Sequence, residues 1–179
     1  MDAKAILLKY YAEDSDLFRL LWRHSMQVAE RVKRIADNIS EPVDIEFAYN
    51  AALIHDIGIF KTHAPSIFCE GHEPYLLHGI IGGEIMRAEG YDKYALVCER
   101  HTGAGLSAKE IETQGLPLPR RNFIPLTIEE QLVCYADNFY SKSNPDKEKT
   151  PAEILRSMQK FGPEQASRFT AMARRFESK

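Results

Sequence analysis

Four histidines and two aspartates in this chain of 179 residues have the types and placement of a metal centre. His24 lies on an apolar helical stripe: at 100° per residue, Leu17, Leu21, Val28 and Ile35 fall within about 60° of it. His55 continues the stripe Ala48, Ala51, Ala52, and Asp56 follows at once. His78 opens the run His78, Ile81, Gly82, Ile85, and His101 completes Tyr94, Val97, Cys98, His101. Asp137 flanks the face formed by Val133, Ala136 and Tyr140. A lone inward histidine is more often a hydrogen-bonded core residue than a ligand. Six inward ionisable groups are different, because each costs several kcal/mol to bury without a charge to share. A bound cation offsets all of them together. Imidazole nitrogens and carboxylate oxygens without thiolate suit Fe, Mn, Co, Ni or Zn better than a structural zinc cage. The set exceeds the four ligands of one tetrahedral ion and fits two ions sharing a carboxylate. Neighbours on a helix diverge by about 100°, so His55 and Asp56 both reach an ion lying off the helix end, and the carboxylate extends to a second.

The elements that position these residues read as helices. Expected spans are 4–12, a long helix to 38 capped by Asp14 or Ser15, and 44–58, followed by 78–89 and 92–102. A further helix over 127–141 starts with a capping box of Thr127 and Glu130, and 150–161 and 163–178 close the chain. Residues 61–77 and 103–126 are aperiodic, apart from a turn of helix at 107–113, and read as loops over the site. His63 and His72, in the first loop, read equally well as exposed polar residues or as substrate contacts. No repeat and no linker divides the chain. The expectation is one all-α domain over 1–179.

Composition narrows the rest. Lysine plus arginine total 23 against 26 acidic residues, a net charge of −3, so no basic surface advertises nucleic-acid binding. No apolar run approaches the length of a membrane span, and the acidic N-terminus carries no signal-peptide core. Three cysteines, Cys69, Cys98 and Cys134, have no zinc-motif spacing and suit a reducing compartment. These features together predict a cytoplasmic protein with neither nucleic-acid nor membrane partners, acting as a monomer or homodimer.

The order His24, His55-Asp56 followed by Ile57-Gly58, then His78, His101 and Asp137, resembles the HD superfamily of metal-dependent phosphohydrolases. LIHDIG is similar to its HDIG variant. The dipeptide alone is a weak signal; a helical histidine 31 residues before it and an aspartate within CYADNFYSK make it specific. The likeness covers about residues 20–143, with the helices of 150–178 beyond it. LLHGIIGGEIM, ERHTGAG, GLPLPRRNFIP and IEEQLVCYAD are similar to small stand-alone HDIG proteins of bacteria and archaea, described only as predicted phosphohydrolases. The six-residue pattern also resembles the branch that cleaves diadenosine tetraphosphate with two metal ions.

The resemblance implies an HD-domain-like helical bundle holding one or two divalent or transition-metal ions (Fe, Mn, Co, Ni, Zn or Mg). His24, His55, Asp56 and Asp137 would hold the first, and Asp56 would bridge to a second completed by His78 and His101. Many relatives carry a lysine three residues after the motif aspartate; Ile59 stands there in this chain, and Lys61 is the nearest lysine. The implied reaction is hydrolysis of a small phosphorylated substrate, a phosphoester or nucleotide. Two ions about 3.5–4 Å apart would acidify a shared water so that it attacks as hydroxide near neutral pH. Asp56 and Lys61 are the expected catalytic residues, and Lys61, Arg120 and Arg121 the expected phosphate contacts. Arg100 points about 100° away from His101 and is a weaker candidate. Two other functions fit the same residues: a di-iron oxygenase, told apart by iron content and oxygen consumption, and a non-catalytic nucleotide-binding sensor, told apart by binding without turnover.

Overall fold

The computed structural model describes residues 1–177, so Ser178, the last position of the expected C-terminal helix, lies outside the described residues. The architecture is helical, and helices from five parts of the chain bring side chains to one cluster. The long helix α2, Asp16–Ala36, starts where the Ser15 hydroxyl accepts the Phe18 amide at 3.1 Å, which settles the cap as Ser15. It buries Leu21, Val28 and Val32 completely. Helix α3, Ile45–Ile54, lies against it through Ala48, Ala51 and Ala52, all fully buried; small side chains let the two backbones approach.

Helix α4, His78–Ala88, and helix α5, Asp92–Arg100, form a hairpin. A methyl group on Gly79 would lie 2.5 Å from the Cys98 carbonyl oxygen, so the closeness of this pair depends on that glycine. Helix α6, Ala108–Gln114, opens with a complete capping box of Ser107 and Glu110. Helix α7 spans Ile128–Asp137, and α8, Pro151–Gln159, and α9, Pro163–Glu177, close the described chain. Helix α9 is tied down by Phe169 stacked on Tyr135 at 5.3 Å and by Gln165, which accepts from the Ala104 amide at 2.9 Å and donates to the Gly105 carbonyl at 2.6 Å. One apolar cluster runs from Ala3 to Phe176.

Several boundaries differ from the sequence reading, each for a local reason. The first helix, α1, is only Ala3–Leu7; the chain then turns so that buried Tyr11 donates its hydroxyl to the Ile57 carbonyl at 2.7 Å. Helix α3 ends at Ile54 rather than 58, leaving Asp56 in a turn. Residues 61–77 hold a short hairpin, β1 (His63–Ala64) with β2 (Cys69–Glu70), between turns of 3-10 helix. At α7 only half of the expected capping box forms. Thr127 accepts from the Glu130 amide, but the Glu130 carboxylate is taken by the Leu126 amide at 2.7 Å and by Arg100.

Candidate metal centre

Helix ends build the site. His55 caps the C-terminus of α3, His101 caps that of α5, Asp137 is the last residue of α7, and His78 is the first residue of α4. Only His24 comes from mid-helix, on α2. The C-termini of α3, α5 and α7 bring their partial negative charges to the same place, a field that favours a cation.

Three of the four histidines are oriented by one repeated device. Nδ1 of His55, His78 and His101 lies 2.7 Å from the carbonyl oxygen three residues earlier, of Ala52, Tyr75 and Cys98 respectively. A carbonyl can only accept, so each Nδ1 carries the hydrogen and, in the neutral ring, each Nε2 presents a lone pair. Those lone pairs converge. Nε2 of His78 and His101 face one another at 3.0 Å. His55 Nε2 lies 3.0 Å from Asp56 Oδ2 and 3.4 Å from Asp137 Oδ1. His24 Nε2 lies 2.9 Å from Asp137 Oδ1 and 3.3 Å from Asp56 Oδ2. The other Asp56 oxygen, Oδ1, is 3.4 Å from His78 and 3.6 Å from His101.

Asp56 therefore divides its two oxygens between two donor groups. One is His24, His55, Asp56 and Asp137; the other is Asp56, His78 and His101; within each, the donor atoms all lie within 4.8 Å of one another. His55 Nε2 and Asp56 Oδ1 are buried without a hydrogen-bond partner. Such atoms are costly unless something positive lies between them, and two lone pairs meeting at 3.0 Å make the same demand. The donor set fits divalent metal ions.

The electrostatics agree. Burial opposes charge on Asp56 and Asp137, yet the surrounding imidazoles, with Lys142 beside Asp56, hold both carboxyls well below the usual range. Burial likewise works against a proton on His55, but Asp56 and Asp137 pull its pKa up to about 10; the spot its Nε2 faces attracts positive charge. At His78 burial wins over the pull of Asp56 and lowers the pKa to about 4, which keeps the ring in the neutral, ligating form.

The turn after Asp56 explains the Ile57-Gly58 pair. Ile57 is fully buried. A methyl on Gly58 would lie 2.2 Å from the His78 carbonyl oxygen and 2.6 Å from the Gly82 amide nitrogen, so the absence of a side chain lets the Asp56 turn sit on the first turn of α4.

The expected phosphate contacts are not brought to the cluster. The 3-10 turn Ile59–Lys61 buries Ile59 and turns Lys61 to the surface, its ammonium 6.0 Å from the Phe60 ring. Arg120 is exposed and paired with Glu112. Arg121 binds Glu99 at 2.9 Å and lies over Phe123. Arg100 binds Glu130 at 2.8 Å. His63 and His72 are exposed in the hairpin region.

In their place the structure brings in Lys142, which the sequence reading missed. Its ammonium pairs with Asp56 Oδ2, lies 3.2 Å from His24 Nε2, and its side chain is 11% exposed. Burial disfavours its charge, but Asp56, with Tyr75 and Asp137, holds its pKa above the ordinary lysine range. The available signal was its place in CYADNFYSK, five residues after Asp137; beyond the end of α7 no helical period points to it. Lys142 also lines a cleft of about 440 Å³ with Asp137, Tyr75, Tyr140, Ser141 and Ser143. The cluster thus has an opening.

The chain is similar to several known proteins. An uncharacterized protein of Methanocaldococcus jannaschii is 37% identical over 119 residues, 64% of this chain and 63% of that protein. The tRNA (cytidine(56)-2'-O)-methyltransferases of Picrophilus torridus and Thermoplasma volcanium are 35% and 32% identical over 78% and 97% of this chain, and over 36% and 45% of their own length. The chain thus spans less than two thirds of each of these relatives. Among solved structures, the HD domain of the L. monocytogenes phosphodiesterase PgpH superposes with a TM-score of 0.53 at 18% identity, covering 95% of this chain and 93% of that one; the fold is shared. The family model described as HD domain matches residues 21–141, a span containing all six converging residues. The chain belongs to the HD domain family.

Proposed function

We propose that this protein is a metal-dependent phosphohydrolase acting on a small phosphorylated molecule, such as a phosphomonoester or nucleotide. The carrying observation is Asp56, whose two oxygens face two separate groups of convergent imidazole lone pairs beside a cleft that opens to solvent. His24, His55, Asp56 and Asp137 would hold one divalent ion, and Asp56, His78 and His101 a second. Such ions supply Lewis acidity toward phosphoryl oxygens and a water acidic enough to attack near neutral pH. The chain's own residues do the rest. The Nδ1–H bonds of His55, His78 and His101 fix their rings before any ligand arrives. Asp56 couples the two donor groups, and Asp137, at the cleft wall, gives the inner cluster its contact with the opening. Ser141 and Ser143, whose hydroxyls lie 2.9 Å apart, offer hydrogen-bond donors to an anion, and the rings of Tyr75 and Tyr140 form apolar walls.

The test is metal analysis of the purified protein with a phosphatase panel run with Mn, Co, Fe, Mg, Ni and Zn. The expected result is one to two ions per chain and hydrolysis abolished by chelator, with His55→Ala and Asp56→Ala losing both. Equal metal content in wild type and variants would overturn the reading. Iron with oxygen consumption and no phosphate release would replace it with an oxygenase.

A further inference from the structure

Resting on that reading, we propose that Lys142 is an exchangeable internal cation: a metal ion displaces its ammonium from Asp56, and the ammonium then binds a phosphate oxygen in the adjoining cleft. Its position is the first ground. The ammonium sits against Asp56 Oδ2 and 3.2 Å from His24 Nε2, two atoms of the four-residue donor group. An ion held by that group and a lysine ammonium cannot share Asp56 Oδ2 at these distances, because like charges in a buried site repel strongly.

The second ground is where the ammonium can go. His24 and Asp56, both buried, lie against the ammonium and wall it on the inner side. The opposite side is the cleft that Lys142 itself lines with Tyr75, Ser141 and Ser143. A lysine has four rotatable bonds, so a shift of a few ångströms into the cleft needs no backbone movement. The third ground is charge. Among the described residues lining the cleft, Lys142 is the one basic side chain and Asp137 the one acidic side chain, while Lys61, Arg120 and Arg121 are directed elsewhere. An ammonium freed there has no carboxylate partner but Asp137, which is itself in the donor group. A phosphate oxygen supplies the missing partner. Metal loading and anion binding are therefore coupled through one side chain: occupancy of the donor group creates the anion site.

The experiment titrates the metal alone (Mn2+) into chelator-stripped full-length protein by calorimetry, then inorganic phosphate into stripped and loaded protein. Wild type is expected to bind phosphate about tenfold or more tightly when loaded, the size of a charge-assisted hydrogen bond gained. Lys142→Gln is expected to bind Mn2+ more tightly than wild type, its internal competitor gone, and when loaded to bind phosphate about tenfold more weakly than loaded wild type, keeping only the gain that the ions themselves supply. Lys142→Arg, which keeps the charge, is expected to retain most of the wild-type gain. Phosphate binding by loaded Lys142→Gln equal to wild type overturns the inference alone. So does weaker Mn2+ binding by Lys142→Gln, which would make the lysine a brace for the donors rather than their competitor. Wild type that binds no metal overturns this inference together with the metal reading beneath it. Should Lys142→Gln fail to fold by circular dichroism, the wild type and Lys142→Arg still decide: phosphate affinity independent of Mn2+ refutes the coupling.

Discussion

Substituting Gly58 by alanine tests whether the contact between the Asp56 turn and α4 sets the second donor group. Gly58 has φ −83° and ψ −5°, a conformation open to alanine, so the change adds steric bulk without backbone strain. The new methyl would start 2.2 Å from the His78 carbonyl oxygen, 2.6 Å from the Gly82 nitrogen and 3.1 Å from Ile81 Cβ. Ordinary contact distances are about 3.5 Å, so the turn and α4 must part by roughly 1 Å. Two of the three obstacles are backbone atoms, which cannot rotate aside. The cost therefore falls at the upper end of the overpacking range, about 3 kcal/mol. For a chain of this size that lowers the melting temperature by about 6–12 °C. The site responds unevenly. His78 begins α4 and moves away with it, opening its 3.4 Å approach to Asp56 Oδ1, while His24, His55 and Asp137 stand on α2, α3 and α7 and keep their spacing. Thermal melting with metal analysis across a titration checks both parts: a lowered melt, and loss of one ion per chain ahead of the other. Melting within about 2 °C of wild type with unchanged metal content would refute the steric argument.

Metal loading stabilises the folded chain by mass action, about 2.7 kcal/mol at a hundredfold excess over Kd. Differential scanning calorimetry is expected to show a melt raised by about 5–10 °C on loading and restored by chelator, and no shift in His55→Ala. Glu110, in the first turn of α6, accepts from Arg168 at 2.6 Å and from the Ser107 hydroxyl and amide. Burial raises its pKa, but these partners outweigh it and leave it lowered. A lowered folded pKa means stability that is complete above the ordinary carboxylate value and lost as pH falls through the folded one. Glu110→Gln is expected to cost about 2 kcal/mol at pH 7, with the gap from wild type narrowing below about pH 4 in urea unfolding. A gap independent of pH would show that the carboxylate charge is irrelevant.

Helical periodicity carried the six convergent residues because each occupies a stripe or adjoins one. His24, flanked by Leu21 and Val28, needs only a 3.6-residue period to be turned inward. The period says nothing about where a helix stops, and the geometry depends on the stops. His55 and His101 were read as lying within helices and are caps, and Asp56 sits in a turn held by Gly58 and by Tyr11, a residue 45 positions earlier in the chain. Charged side chains outside periodic segments were the least legible. Lys61 looked well placed by its nearness to Asp56 in sequence, yet a single 3-10 turn directs it outward. Lys142, 86 residues from Asp56, reaches it because α7 ends at Asp137 and the chain folds back. Arg120 and Arg121 met nearby carboxylates, Glu112 and Glu99, whose placement no local pattern encodes.

The Nδ1–H bonds to the carbonyls of Ala52, Tyr75 and Cys98 also serve as the stitches of the backbone turns in which they sit. Orientation of the rings and termination of α3 and α5 are one set of bonds. Opening the last turn of either helix must release a ring, and fixing a ring by a ligand on Nε2 must slow that opening. Amide hydrogen exchange at the ends of α3 and α5, two segments far apart in the chain, should therefore slow together when the centre is loaded, and the helix termini become a backbone readout of an event confined to side chains.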